Sequence, residues 1–161
     1  MQYTDLLIEA DIQGLIVKEK QLNAYDGRIK GNRIAIRMDM PTTQKACVLA
    51  EELGHNQTGY GNILQQASIS DIKQEQRARL WAYNKMIGLQ GIVRAYKHGC
   101  TSLYEMAEYL EVTEEFLHEA LTAYRHRYGC FAQIDNYVVY FEPNLGGVGN
   151  VVAYLYKKLL P

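Results

Sequence analysis

Pro41-Thr42-Thr43 sets a proline suited to a first helical turn beside two hydroxyl caps, and Ala46, Leu49, Ala50 and Leu53 then recur at helical spacing. The pattern predicts a helix over 44–56 with one buried stripe. Any fold for this chain must bury that stripe while leaving the charged members of Glu51-Glu52-Leu53-Gly54-His55 where charge is tolerated. Residues 51 and 55 are four apart, so both side chains leave one helix face and can converge on one ion. Glu52 sits between them, rotated toward a cleft, where the zinc-peptidase pattern His-Glu-x-x-His carries its general base. Here the first position is Glu51, so the string reads Glu-Glu-x-x-His. A carboxylate can bind zinc, but three protein ligands are normally needed, and one remains to be found. By composition alone the same string is an ordinary amphipathic surface. Cys47 shares the stripe, and a lone helical cysteine is more often a small core residue than a ligand.

The rest of the chain reads as short alternating elements. Residues 4–13 form a helix with Leu6, Leu7 and Ala10 on one stripe, ended by Gly14, and Leu15-Ile16-Val17 is β-like. Residues 27–36 make a hairpin around the Gly31-Asn32 turn. Residues 56–68 are polar and glycine-containing, hence a loop. A helix over 69–87 follows, with Ala78, Trp81, Ala82 and Met86 inward and Trp81 expected to share a core with Leu53. A third interior helix around Ile92, Val93 and Tyr96 ends near Gly99. Helices over 102–110 and from Thr113 to about Tyr128 come next, the latter capped by Thr113. Residues 130–134 and 137–141 form a second hairpin. A glycine-rich joint, Gly146-Gly147-Val148-Gly149, precedes an apolar tail over 151–160 that needs cover.

Composition excludes several classes. Lys and Arg number 17 against 18 Asp and Glu in 161 residues, so the net charge is near zero and nothing resembles a general nucleic-acid binder. The three cysteines, Cys47, Cys100 and Cys130, are odd in number and far apart, which suits a reduced, cytoplasmic protein better than a secreted disulfide scaffold. No signal peptide is expected from Met1-Gln2-Tyr3-Thr4-Asp5, and no apolar stretch is long enough to span a bilayer. The segment 104–117 has the shape of a DNA-reading helical pair, but its second helix opens with Glu114 and Glu115, which repel phosphate; it reads as a packing unit. Arg28, Lys30, Arg33 and Arg37 make the first hairpin basic. A peptide could add a strand to such an edge, and basic residues equally guard an edge against aggregation.

The order helix, hairpin, helix with Ala50-Glu51-Glu52-Leu53-Gly54-His55, polar loop, and helix with Glu75-Gln76-Arg77-Ala78-Arg79-Leu80-Trp81-Ala82 resembles the ImmA/IrrE family of metallopeptidase-like proteins. It looks closest to the short versions carried by Gram-positive phages and mobile elements. In the wider family the two helices read His-Glu-x-Gly-His and Glu-x-Glu-Ala-Asn/Asp-x-Phe-Ala. The resemblance covers residues 4 to about 128. It implies an α+β, mainly helical zincin-like fold with a small β-hairpin sheet over 1–128; beyond it, residues 129–161 read from their own pattern as a C-terminal β-hairpin and apolar tail. It also implies zinc as cofactor and a helix-turn-helix repressor of a mobile element as protein partner; charge balance and hydropathy point to no direct contact with nucleic acid or membrane. Carried over by position, Glu52 matches the general base, His55 the second zinc ligand and Glu51 the first-ligand position. The family's third ligand, the glutamate before Ala-Asn, falls on Arg77.

Two readings follow. In the first, zinc is held by Glu51, His55 and a third group such as Glu75, His98 or Cys100, and the protein is a zinc endopeptidase. For His98 and Cys100 a helix-ending turn is the better account, and Glu75, two residues from Arg77, points to another helix face. In the second, Arg77 pairs with Glu51 where the ion would sit, and the protein is a pseudo-peptidase that binds its regulator without cutting it.

Overall fold

Helix α1 (Tyr3–Ile12) leads into strands β1 (Ile16–Lys20), β2 (Gly27–Lys30) and β3 (Arg33–Arg37), and these into helices α2 (Thr42–Thr58) and α3 (Ile69–Met86). The computed structural model describes residues 1–59, 69–143 and 151–157. The 60–68 part of the expected loop, the glycine-rich joint and residues 158–160 lie outside the described residues. By its contacts the chain divides into two compact units between Met86 and Ile87.

In the first unit the expected hairpin forms β2 and β3, which pair antiparallel around Gly31-Asn32. The sequence reading left Leu15-Ile16-Val17 without a partner. It belongs to a longer strand, β1, that pairs in parallel with β3, giving the sheet order β1-β3-β2. Alternation then sorts the sheet into two faces. Ile34 and Ile36 are buried on the face against which α2 packs. Arg33, Ala35 and Arg37 point the other way, in register with Lys18 and Lys20 of β1 and with Arg28 and Lys30 of β2.

Helix α2 runs past its expected end at 56 because Gly59 adopts a left-handed conformation and closes the last turn there. Its stripe Ala46, Leu49, Ala50 and Leu53 is buried as expected, and Cys47 joins it as a core residue. Each leucine so buried contributes roughly 1.5–3 kcal/mol relative to exposure. Helix α3 crosses α2 very closely, for a reason written in the sequence: a Cβ on Gly54 would overlap the Ala78 carbonyl oxygen. Only glycine lets the two backbones meet at that point. Trp81 reaches less deep than expected; it is half-buried, with the Lys85 ammonium 5.7 Å from its ring centroid.

In the second unit, α4 (Gly88–His98), α5 (Leu103–Leu110) and α6 (Glu114–Tyr128) precede a meander of β4 (Phe131–Ile134), β5 (Tyr137–Pro143) and β6 (Val151–Lys157). Ser102 caps α5 by accepting the Glu105 N–H at 3.1 Å, and Thr113 caps α6 by accepting the Phe116 N–H at 3.1 Å. Tyr124 and Phe141, fully buried with ring centroids 6.1 Å apart, tie α6 to β5. Residues 151–157 of the apolar tail form β6, paired with β5 from Val151↔Pro143 to Lys157↔Tyr137. The strands read from sequence as a separate C-terminal piece after 128 therefore share a unit with α4–α6. Among the described residues no helix is long and apolar enough to cross a membrane.

Candidate active site

The close crossing at Gly54 sets one flank of α2 against the second turn of α3, and charged side chains fill the seam. His55 Nε2 lies 3.7 Å from Oε2 of Glu75. The other Glu75 oxygen accepts a 2.7 Å hydrogen bond from Nε of Arg79, one helical turn further along α3. Burial works against the Arg79 guanidinium's charge, but the Glu75 hydrogen bond and the negative charges of Glu51 and Glu75 outweigh it and hold the guanidinium's pKa above its ordinary value. Arg79 thus sits in the field of both carboxylates that would otherwise draw a cation.

His55 is shifted the other way. Burial pushes its pKa down, Glu75 pulls it up, and Arg79 lowers it again, the net direction being down. A neutral imidazole 3.7 Å from a carboxylate oxygen is too distant for a good hydrogen bond and is not an ion pair.

Glu52 leaves the helix toward the sheet and is only 9% exposed. Its carboxyl is pushed up to about 7, first by burial, then by the negative charge of Glu51, with Glu75 adding and the Ile29 N–H and Arg28 opposing. Gly27 makes room for it: a Cβ there would overlap Val48 Cγ1 and stand 3.0 Å from the Glu52 Oε1. A carboxyl with a near-neutral pKa, buried beside the edge strand β2, has the proton affinity of a general acid–base group.

Of the residues singled out from sequence, Glu51, His55 and Glu75 belong to this seam, Glu52 turns from it toward the sheet, and Arg77 does not belong to it. Arg77 is exposed. Residues two apart on a helix diverge by about 200°, so Glu75 and Arg77 cannot both face α2. Residues four apart can, and the arginine at the seam is Arg79. The Glu51–Arg77 pair expected from motif alignment gives way to a Glu75–Arg79 pair, and Glu75, set aside for its helix phase, faces His55. The clue that would have found Arg79 was the Glu75–Arg79 spacing itself, the common i,i+4 ion pair. His98 and Cys100 form a helix-ending turn: the His98 ring stacks on Tyr109 at 4.5 Å, and the Cys100 thiol donates to the Glu105 carbonyl.

Zinc needs three protein donors around an open position. Among the described residues the donors at hand are Glu51, His55 and Glu75, and an arginine binds one of the carboxylates and shares the field of the other. A guanidinium in that place repels a dication and already neutralises the charge that would attract it. Among the described residues no group of three or more His, Cys, Asp and Glu side chains is arranged to hold an ion. The donor set does not fit a zinc centre.

A family model described as the IrrE N-terminal-like domain, of a peptidase family, matches residues 10–122. Comparison with curated proteins and with solved structures gave no match.

Proposed function

The chain belongs to the IrrE N-terminal-like peptidase family and has its metallopeptidase-like, mainly helical α+β fold, and from that premise we propose that it is a pseudo-peptidase, binding a helix-turn-helix regulator of a mobile element without cutting it. The observation that carries this reading is the 2.7 Å Glu75–Arg79 pair, which puts a fixed positive charge where catalysis would need a Lewis-acidic ion. An arginine can neutralise carboxylates but cannot lower the pKa of a water toward 7 as zinc does. Recognition needs no such ion. The β2 edge, with Arg28 and Lys30 along it, offers unpaired backbone groups to which an extended peptide can add as a strand. Three unbridged cysteines accord with a cytoplasmic setting for that partner.

A second reading, zinc endopeptidase, is favoured by Glu52, whose burial and near-neutral pKa are those of a working general base. One experiment separates the two. Mixing the chain with a helix-turn-helix repressor of the same replicon, with and without added zinc, should give a complex on size-exclusion chromatography and an intact repressor by mass spectrometry. Repressor fragments that appear with the wild-type chain and vanish with Glu52→Gln would establish the endopeptidase instead.

A further inference from the structure

The outer face of the N-terminal sheet gathers Lys18 and Lys20 from β1, Arg28 and Lys30 from β2, and Arg33 from β3 around a groove of about 430 Å³ that no carboxylate lines. Strand register explains the gathering. Lys30 stands directly opposite Arg33, and Lys18 and Arg28 flank Ala35 from either side. Like charges set opposite one another across a ladder are destabilising, so this face holds a repulsion that an anion would relieve. The nearby acids are engaged elsewhere. Glu19 belongs to the inner-face register and binds Lys45 at 2.7 Å. Asp26 and Asp39 neutralise Arg37 at 2.7 and 3.2 Å.

Protection against edge-to-edge pairing accounts for cations on edge strands. It does not account for Arg33, which lies on the central strand β3. An aromatic ring stands beside one of these cations, next to the groove. The Arg28 guanidinium carbon is 5.7 Å from the ring centroid of Tyr25, which is 60% exposed.

We propose that this face binds the phosphodiester backbone of single-stranded nucleic acid. Residues two apart on a strand repeat every ~7 Å, close to the step between successive phosphates of an extended single strand. The cations would meet phosphates, and the Tyr25 ring offers a base a stacking surface. An acidic peptide would satisfy the cations but has no use for the ring. A near-zero net charge argues against binding over the whole surface, not against one segregated face.

Fluorescence anisotropy of a labelled single-stranded oligonucleotide against the full chain tests this, with a polyglutamate peptide as competitor. The oligonucleotide should bind, with log affinity falling linearly with log salt. The variant Lys18→Gln/Lys30→Gln/Arg33→Gln, all at exposed positions, should weaken binding at least ~10-fold and flatten the salt slope by about 2, some 0.7 per lost phosphate contact. Tyr25→Leu should weaken binding at unchanged slope, and Arg94→Gln in the second unit should have no effect. Circular dichroism confirms that each variant is folded. The proposal is overturned if the wild-type chain does not bind, if the triple variant binds as well as wild type, or if polyglutamate competes as strongly as unlabelled oligonucleotide. None of these outcomes depends on whether the α2–α3 seam cleaves protein.

Discussion

In the α2–α3 seam, Arg79 lies 2.7 Å from Glu75 and within the field of Glu51, while on the outer face of the same unit's sheet Lys30 stands opposite Arg33 in a groove without a carboxylate. The two places use similar residues to opposite ends. At the seam Glu75 and Arg79 partner each other, so removing one leaves the other's charge without its partner at a partly solvated site. On the sheet the charges oppose one another, so removing one relieves strain. The difference separates charges that hold the fold from charges held by it.

The largest effect should come from the crossing that creates the seam. Gly54→Val drives a side chain into the Ala78 carbonyl and should cost about 3 kcal/mol or more in urea denaturation, as overpacking at a backbone contact does. If the variant still folds at low temperature, the sheet should retain its oligonucleotide affinity. Parallel loss of both would show that seam and sheet are not separable.

Next is the pH dependence set by Glu52. Its folded pKa of about 7 exceeds its ordinary value of 4.5, so the native state holds the proton more tightly than the unfolded chain. That contribution is fully present below pH 4.5 and is lost as pH rises through 7, an effect of roughly 3 kcal/mol at most. Wild type should therefore lose stability relative to Glu52→Gln between pH 5 and pH 8. Parallel stability curves for the two proteins would contradict the burial argument.

Arg79→Ala should be milder, because Glu75 keeps a third of its side-chain surface in water. A loss of about 1 kcal/mol is expected, largely recovered in Arg79→Ala/Glu75→Gln. Smallest is Arg33→Gln on the sheet, within about 0.5 kcal/mol of wild type and on the stabilising side. If Arg33→Gln were as costly as Arg79→Ala, the contrast between the two faces would fail.

Local signals made much of this legible. The apolar stripe of α2, the Gly31-Asn32 hairpin and the cap at Thr113 lie within a few residues of the structure they specify. The parallel pairing of β1 with β3 was not legible, because it joins residues 17 apart (Ile16↔Arg33) across an intervening strand. The tail over 151–157 announced its need for cover through its apolar run but not its strand partner. At the site, α2 could be read from spacing alone, which gave Glu51, Glu52 and His55. The α3 half was placed by aligning a motif, and the alignment put the weight on Arg77. Helical phase, the more physical guide, puts it on Glu75 and Arg79.

In the proposed pseudo-peptidase, Arg79 stands in place of the metal. The most direct test is elemental analysis of zinc per chain, after expression in zinc-supplemented medium and purification without chelators, together with thermal unfolding in added zinc. Far less than one zinc per chain and an unchanged Tm are expected. One equivalent of zinc, raising Tm and lost on His55→Ala, would contradict the pseudo-peptidase reading.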